Sequence, residues 1–123
     1  KHSSLLPAYS GLLPFIRTKI FDDDNGLSIH LINKKLDTGK ILFQKKFNNK
    51  FNSMIEFYLF IYEKYPTYLM NSFSNLEKKQ YVKPFKKRSY FSIPTKKEYK
   101  KFLDCGGNII RINDFLNIGK ITK

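Results

Sequence analysis

Residues 26–44, GLSIHLINKKLDTGKILFQ, are the stretch on which the fold turns. Leu27, Ile29 and Leu31 alternate with Ser28, His30 and Ile32, the two-residue period of a strand, with one histidine among side chains that suit a core. Asn33-Lys34-Lys35 breaks the pattern, and Ile41-Leu42-Phe43 resumes it after Gly39. Asp37 therefore lies on a connection between two strands. Loops held by rigid strands are where binding and catalytic groups concentrate.

Working outward, residues 2–14 place two prolines and a glycine around short apolar pairs, which predicts a structured loop. A helix is expected over Leu12–Phe21, with Leu13, Ile16, Ile20 and Phe21 inward and Pro14 in the first turn. Asp22-Asp23-Asp24-Asn25-Gly26 ends it with turn chemistry and reads as a solvated turn. A calcium loop would need ligands spread over about twelve residues and a closing Glu, which is missing.

Downstream, Ser53-Met54-Ile55-Glu56 is a capping-box sequence opening a helix whose face is Met54, Phe57, Tyr58, Ile61 and Tyr65. Pro66 is expected to kink or end it, with a second helical stretch over Thr67–Leu76 burying Leu69, Phe73 and Leu76. Gln80–Ser92 reads as a basic connector with a short strand at Tyr90–Ile93. Thr95-Lys96-Lys97-Glu98 is a second capping box, predicting a helix over Lys96–Asp104 closed by Gly106-Gly107. Asn108–Ile112 reads as another short strand, followed by a weakly patterned tail from Asn113.

With 123 residues the chain accommodates one domain with a modest core. A 41% apolar and 16% aromatic content argues against wholesale disorder, and no apolar run approaches the roughly 20 residues of a membrane helix. The net charge of +13 is uneven: residues 78–101 carry ten Lys/Arg against Glu98 alone, which makes Lys78–Lys101 the candidate polyanion-facing surface. The richness in Lys, Asn, Ile and Phe is also what an AT-rich coding sequence produces without selection for a ligand. A single cysteine, Cys105, excludes an internal disulfide and a Cys-based zinc cluster and suits a reducing, cytoplasmic setting, where it reads as a small buried residue. The start at Lys1-His2, without initiator Met, suggests a portion of something longer.

His2, His30 and Asp37 are the groups that could converge for acid–base work near neutral pH, because histidine titrates there and a carboxylate can set its charge. The bland alternative is that His30 is a hydrogen-bonded strand residue and Asp37 caps a turn. No glycine-rich phosphate loop and no metal-ligand spacing is present.

Three linked motifs now carry a resemblance: His2-x-Ser4-Leu5-Leu6-Pro7-x-Tyr9-x-Gly11, then Gly26-x-Ser28-x-His30, then Leu36-Asp37-Thr38-Gly39-x-Ile41-Leu42 with Gln44. Together they resemble the catalytic half of the 10-formyltetrahydrofolate-dependent formyltransferase family, which includes methionyl-tRNA, glycinamide-ribonucleotide and sugar-amine enzymes. The resemblance implies an α/β fold, a fragment of a Rossmann-like domain with helices packed on a few strands and a short α+β tail. Residues 1–78 would be the C-terminal half of the catalytic domain, and 79–123 a basic connector with a small helix/strand extension. It implies that His2 and Asp37 are catalytic, completing a set whose Asn falls just before Lys1. Ser28, His30, Thr38 and Gly39 would support them, and Ser4, Leu5, Leu6, Pro7 and Gly11 would form the substrate and cofactor loop. Ser10 stands where many relatives have Arg.

The implied reaction is formyl transfer from 10-formyltetrahydrofolate to a primary amine, without a metal. A protonated His2 would stabilise the developing oxyanion, and Asp37 would raise the pKa of His2 and collect the amine's proton. The amine partner would be a nucleotide sugar or an aminoacyl-tRNA, the former favoured because no start of an RNA-binding barrel is seen. Arg88-x-Tyr90-Phe91-Ser92-x-Pro94-Thr95 resembles the tail of some sugar-type relatives. The isolated 123 residues are expected to be inactive without an upstream half. The rival readings are a non-catalytic basic RNA-binding module and an inactive remnant.

Overall fold

The structure, a computed structural model, describes residues 1–84 and 86–121; Phe85 in the basic connector and Thr122 and Lys123 at the chain end lie outside the described residues. It is a mixed α/β arrangement of β1 (Ser10–Gly11), α1 (Pro14–Ile20), β2 (Asn25–His30), β3 (Ile41–Phe47), α2 (Met54–Glu77), β4 (Tyr90–Phe91), α3 (Lys96–Asp104) and α4 (Ile112–Ile121). β2 and β3 pair antiparallel from Asn25↔Phe47 to His30↔Ile41, with an irregularity at Ile29/His30. β1 and β4 form a short parallel pair, Ser10↔Tyr90 and Gly11↔Phe91.

The strand–turn–strand pattern of residues 26–44 is present, but β2 stops at His30 rather than running to Ile32, which is 94% exposed. Gly26 to Ile29 are all buried, so the ribbon is covered on both faces and polar–apolar alternation does not map onto burial. One face carries the core: Phe15, Ile16, Leu27, Phe47, Phe51, Phe57, Ile61 and Phe102 form a contiguous cluster. Its rings interlock, Phe15 stacking on Phe57 at 5.0 Å and Phe51 meeting Phe57 edge-on at 5.1 Å.

α1 begins at Pro14 rather than Leu12, because Leu13 takes the left-handed conformation as its cap. Its inward residues are Phe15, Ile16, Arg17 and Thr18, while Leu13 and Phe21 are exposed. Pro66 does not end α2, which continues unbroken to Glu77. The proline sits on the exposed side, and the carbonyl it leaves without a donor belongs to exposed Tyr62, where water can serve it. The inward line of the second half is Tyr65, Tyr68, Ser72 and Asn75, not Phe73 or Leu76, which are exposed; Leu69 is half-buried. Tyr68 stacks on Phe43 at 5.0 Å, and the Asn75 amide donates to Leu42 O at 2.8 Å.

Both capping sequences start helices. Ser53 Oγ accepts from Glu56 N, but Glu56 reaches back to Asn52 N–H, one residue beyond the cap. Thr95 and Glu98 close the reciprocal box. Thr95→Ala is therefore expected to lower unfolding stability by about 1 kcal/mol, read by urea denaturation; no change would show that Glu98 and Arg17 hold α3 without it. Asn108–Ile112 is not a strand: the Asn108 and Ile109 carbonyls accept from Met54 N and Ile55 N, satisfying the otherwise orphaned first N–H groups of α2. Beyond it the tail is helical, and α4 is docked by buried Asp114, which accepts from Ser53 Oγ at 2.7 Å and Arg111 N at 2.6 Å.

The Asp22–Asp24 turn is an anchor rather than merely solvated. Asp23 accepts from Tyr9 OH at 2.6 Å and pairs with Lys86, and Asp24 pairs with Lys46 at 2.8 Å. Burial works against the Asp23 carboxylate, but Lys86, Tyr9 and the Asp24 N–H together hold it below the usual range. Cys105 is exposed, since the last turn of α3 carries it away from the face that buries Phe102.

Candidate active site

The loop before β1 is built onto β2. His2 and Ser28 exchange backbone hydrogen bonds, His2 N to Ser28 O at 2.8 Å and Ser28 N to His2 O at 2.9 Å. The Ser28 hydroxyl donates to Ser4 O at 2.6 Å and accepts from Leu6 N and from Gln44 Nε2, both at 2.9 Å. Gln44 also donates to Leu6 O at 2.8 Å. A fully engaged hydroxyl is a structural one, so Ser28 and Gln44 lock the Ser4–Pro7 loop across the strand pair.

That lock places His2. Ser4 Oγ spends its proton on Ala8 O at 2.7 Å, so it receives Nδ1–H of His2 at 2.9 Å. Nε2 then faces two acceptors, Gly11 O at 3.1 Å and Asp37 Oδ2 at 3.3 Å. Asp37 Oδ2 also accepts from Gly11 N at 2.9 Å, so the Gly11 backbone touches both side chains, through the peptides on either side of its Cα. His30 Nε2 stands 3.8 Å from Asp37 Oδ1, and its Nδ1 contacts Leu31 O at 3.0 Å. The three groups singled out in the sequence thus converge.

Electrostatics pull in opposite directions on His2. Burial is the largest influence and pushes its pKa below the ordinary imidazole value; Asp37 and the Gly11 carbonyl oppose it, and His30 adds to the lowering. The upward pull of Asp37 has the sign implied by the resemblance, but the net shift is downward. Folding favours the neutral ring, so the associated stability is present above the unfolded-state value and is lost as pH falls through it toward the lower folded value. In an NMR titration of the His2 ring, the midpoint is expected below that of a free imidazole, and Asp37→Asn is expected to lower it further. An unmoved midpoint in that variant would remove Asp37 as a partner.

Asp37 takes a left-handed backbone conformation, φ +52°. Thr38 Oγ1 contacts Asn33 Oδ1 at 2.7 Å and Lys35 O at 2.9 Å, tightening the turn. Gly39 passes so close to Leu31 that a Cβ there would lie 1.6 Å from the Leu31 carbonyl oxygen. Asp37, Thr38 and Gly39 form one side of a cleft of about 290 Å³. Its apolar wall includes Leu6, Pro7, Ile41 and Val82, and Arg88 reaches its rim. Leu5, assigned to the loop that would face substrate, packs instead against Gly26 in the interior. Ser10 is also buried, its hydroxyl on Ser89 O at 2.7 Å.

Sequence reasoning missed the cleft wall from the connector. Val82 N donates to Ile41 O at 2.8 Å, and Lys40 Nζ lies 4.5 Å from the Tyr81 ring centroid. Tyr81, Val82 and Arg88 carry no local signal for this, since only the fold brings them beside Asp37. Within the basic stretch, Lys86 is engaged with Asp23 and Asp24. Among the described residues no group of metal-ligating side chains could hold an ion, and no helix is long and apolar enough to cross a membrane.

Residues 1–53 match the family model described as formyl transferase. No curated protein matches. Among solved structures, a sugar N-formyltransferase from a Shewanella species superposes with a TM-score of 0.65 at 20% identity, over 92% of this chain and 56% of that one. The formyltransferase PseJ from Anoxybacillus kamchatkensis, solved with UDP-4,6-dideoxy-4-formamido-L-AltNAc and tetrahydrofolate, gives 0.63 at 24% identity, over 84% and 55%. An N-formyltransferase from Helicobacter canadensis, solved with folinic acid and dTDP-3-aminofucose, gives 0.60 at 26%, over 85% and 45%. The chain spans about half the length of these structures and shares their fold.

Proposed function

Because residues 1–53 match the formyl transferase family model, we propose that the protein carrying this chain transfers a formyl group from an N-formyl tetrahydrofolate to the amine of a nucleotide-linked sugar. The observation that carries this reading is the His2–Asp37 contact at 3.3 Å, set on the shared backbone of Gly11, with Asp37 opening onto the cleft. The choice of a sugar amine over an aminoacyl-tRNA rests on the solved structures of similar fold, which hold nucleotide sugars.

The cleft fits a flat heteroaromatic donor: apolar side chains of Leu6, Pro7, Ile41 and Val82 suit ring faces, and Asp37 and Arg88 suit polar edges. When bound, the folate supplies the activated formyl group. His2 would serve as the N–H donor for an oxygen that gains negative charge once Nε2–H turns to it from Gly11 O, a role worth about 2.7–4 kcal/mol per donor. Asp37 opposes the effect of burial on His2, raising the charged fraction of a ring whose pKa still lies below the ordinary value, and it accepts the proton shed by the attacking amine. His30, 3.8 Å from Asp37 Oδ1, orders that carboxylate.

Residues 1–78 then form the C-terminal half of the catalytic domain and 79–123 its extension, in a cytoplasmic protein, with Cys105, the one cysteine of this chain, unpaired. RNA binding through Lys78–Lys101 has less support, because Lys86 is held by Asp23 and Asp24. Incubation with 10-formyltetrahydrofolate and UDP- or dTDP-linked amino sugars is expected to yield a formamido sugar. Failure with all of them, by folded protein that binds folinic acid, contradicts the substrate assignment.

A further inference from the structure

Both reacting side chains of the proposed site are referred to one residue, Gly11: its carbonyl faces His2 Nε2 and its N–H donates to Asp37. What fixes Gly11 lies about eighty residues away. Residue 89 meets the preceding loop through every polar group of its backbone and side chain. Tyr9 N donates to Ser89 Oγ at 2.8 Å, Ser10 N and Ser10 Oγ donate to Ser89 O at 3.0 and 2.7 Å, and Ser89 N donates to Pro7 O at 3.2 Å. The next residues continue the pairing, with Leu12 N on Phe91 O at 3.0 Å.

The loop needs such support. Tyr9 and Leu13 have φ of +55° and +48°, conformations that persist in non-glycine residues only where the surroundings over-determine them, while Gly11 takes φ +100°, open to glycine. A Cβ on Gly11 would lie 2.0 Å from Phe91 O, so the two backbones are in direct contact. Tyr9 N–H has no helix or strand partner of its own, and Ser89 Oγ is the acceptor that replaces one.

We propose that Ser89 is a positioning residue for the His2–Asp37 pair: by holding residues 7–10 it sets the Gly11 backbone against which both side chains are aligned. The inference rests on the formyl-transfer reading only for its effect on rate; the alignment itself is a property of the folded chain. The Ser89 hydroxyl is the part that can be removed without altering the backbone bonds, and Thr can restore it.

The test compares Ser89→Ala, Ser89→Thr and, as a control in α2, Ser72→Ala, which removes a buried hydroxyl bonded to Leu69 O at 2.7 Å. In the protein carrying this chain, Ser89→Ala is expected to lower the NMR titration midpoint of His2 by roughly half a unit or more, part of the 1–3 units an adjacent charge commands. Faster hydrogen exchange at Gly11 should accompany it. Formyl-transfer kcat is expected to fall about tenfold with donor KM little changed, because small misplacements are costly in rate. Ser89→Thr should recover all three. A His2 midpoint unmoved in Ser89→Ala, or moved equally by Ser72→Ala, overturns the proposal. A moved midpoint in a protein that transfers no formyl group upholds the positioning role and strikes the proposed reaction alone.

Discussion

Gly39→Ala is expected to displace the Asp37–Lys40 turn and to lower formyl transfer by about 10²-fold or more, the scale that a misplacement of about 1 Å can reach. A methyl at this position would sit 1.6 Å from the Leu31 carbonyl oxygen and 2.5 Å from its carbon. Neither atom belongs to a flexible side chain. The backbone must therefore move, and it carries two linked features: Leu31 N bonded to Lys40 O at 2.9 Å, and Asp37 held in its left-handed conformation. The accompanying stability loss is expected at about 1–3 kcal/mol, the range of ordinary disruptive substitutions. Denaturant unfolding reads the stability, and the Gly11 amide signal reports whether Asp37 has left it. A variant with wild-type rate and an unchanged Gly11 signal would show that the turn absorbs the methyl elsewhere.

Asp37→Asn is the second large effect. The amide oxygen can still accept from Gly11 N, so the turn keeps its contact, while the charge opposing the burial of His2 and the acceptor for the amine's proton are both lost. General acid–base groups of this kind contribute typically 10²–10⁴-fold, and the loss is expected in kcat with little change in thermal stability. A rate near wild type would remove the carboxylate from the chemistry and leave it a turn residue.

Why Asp37 was readable in sequence and its partner groups were not follows from how each is encoded. Asp37 sits between two strand-like runs, and His2 heads a loop of recognisable residues, so side chains announced both. The common reference, the Gly11 backbone, contributes an N–H and a carbonyl that every non-proline residue possesses, and composition is silent on where these point. Ser89 is equally hidden, because its partners at Tyr9 and Ser10 are some eighty residues distant.

The same division holds in the fold. Thr95 and Glu98 predicted α3 because the cap is local chemistry. Pro66 misled because its cost depends on whether the freed carbonyl can reach water, which depends on the side of α2 that it occupies. Phe73 and Leu76 misled for a related reason: the wrap of α2 on β3 is set by Tyr68 against Phe43 and Asn75 on Leu42 O, so the buried line passes through Ser72. Arg17, 2% exposed in α1, was unreadable as a buried residue until Leu12 O, Ser92 O and Glu98 were seen around it.

Whether His2 and Asp37 act as one unit is read by a double-mutant cycle on the transfer rate. The measurement compares wild type, His2→Gln, Asp37→Asn and the double variant in the protein that carries this chain, with 10-formyltetrahydrofolate and a nucleotide-linked amino sugar. Groups that function together are strongly non-additive. The account predicts a double variant about as slow as the slower single one. Losses that simply multiply would contradict it.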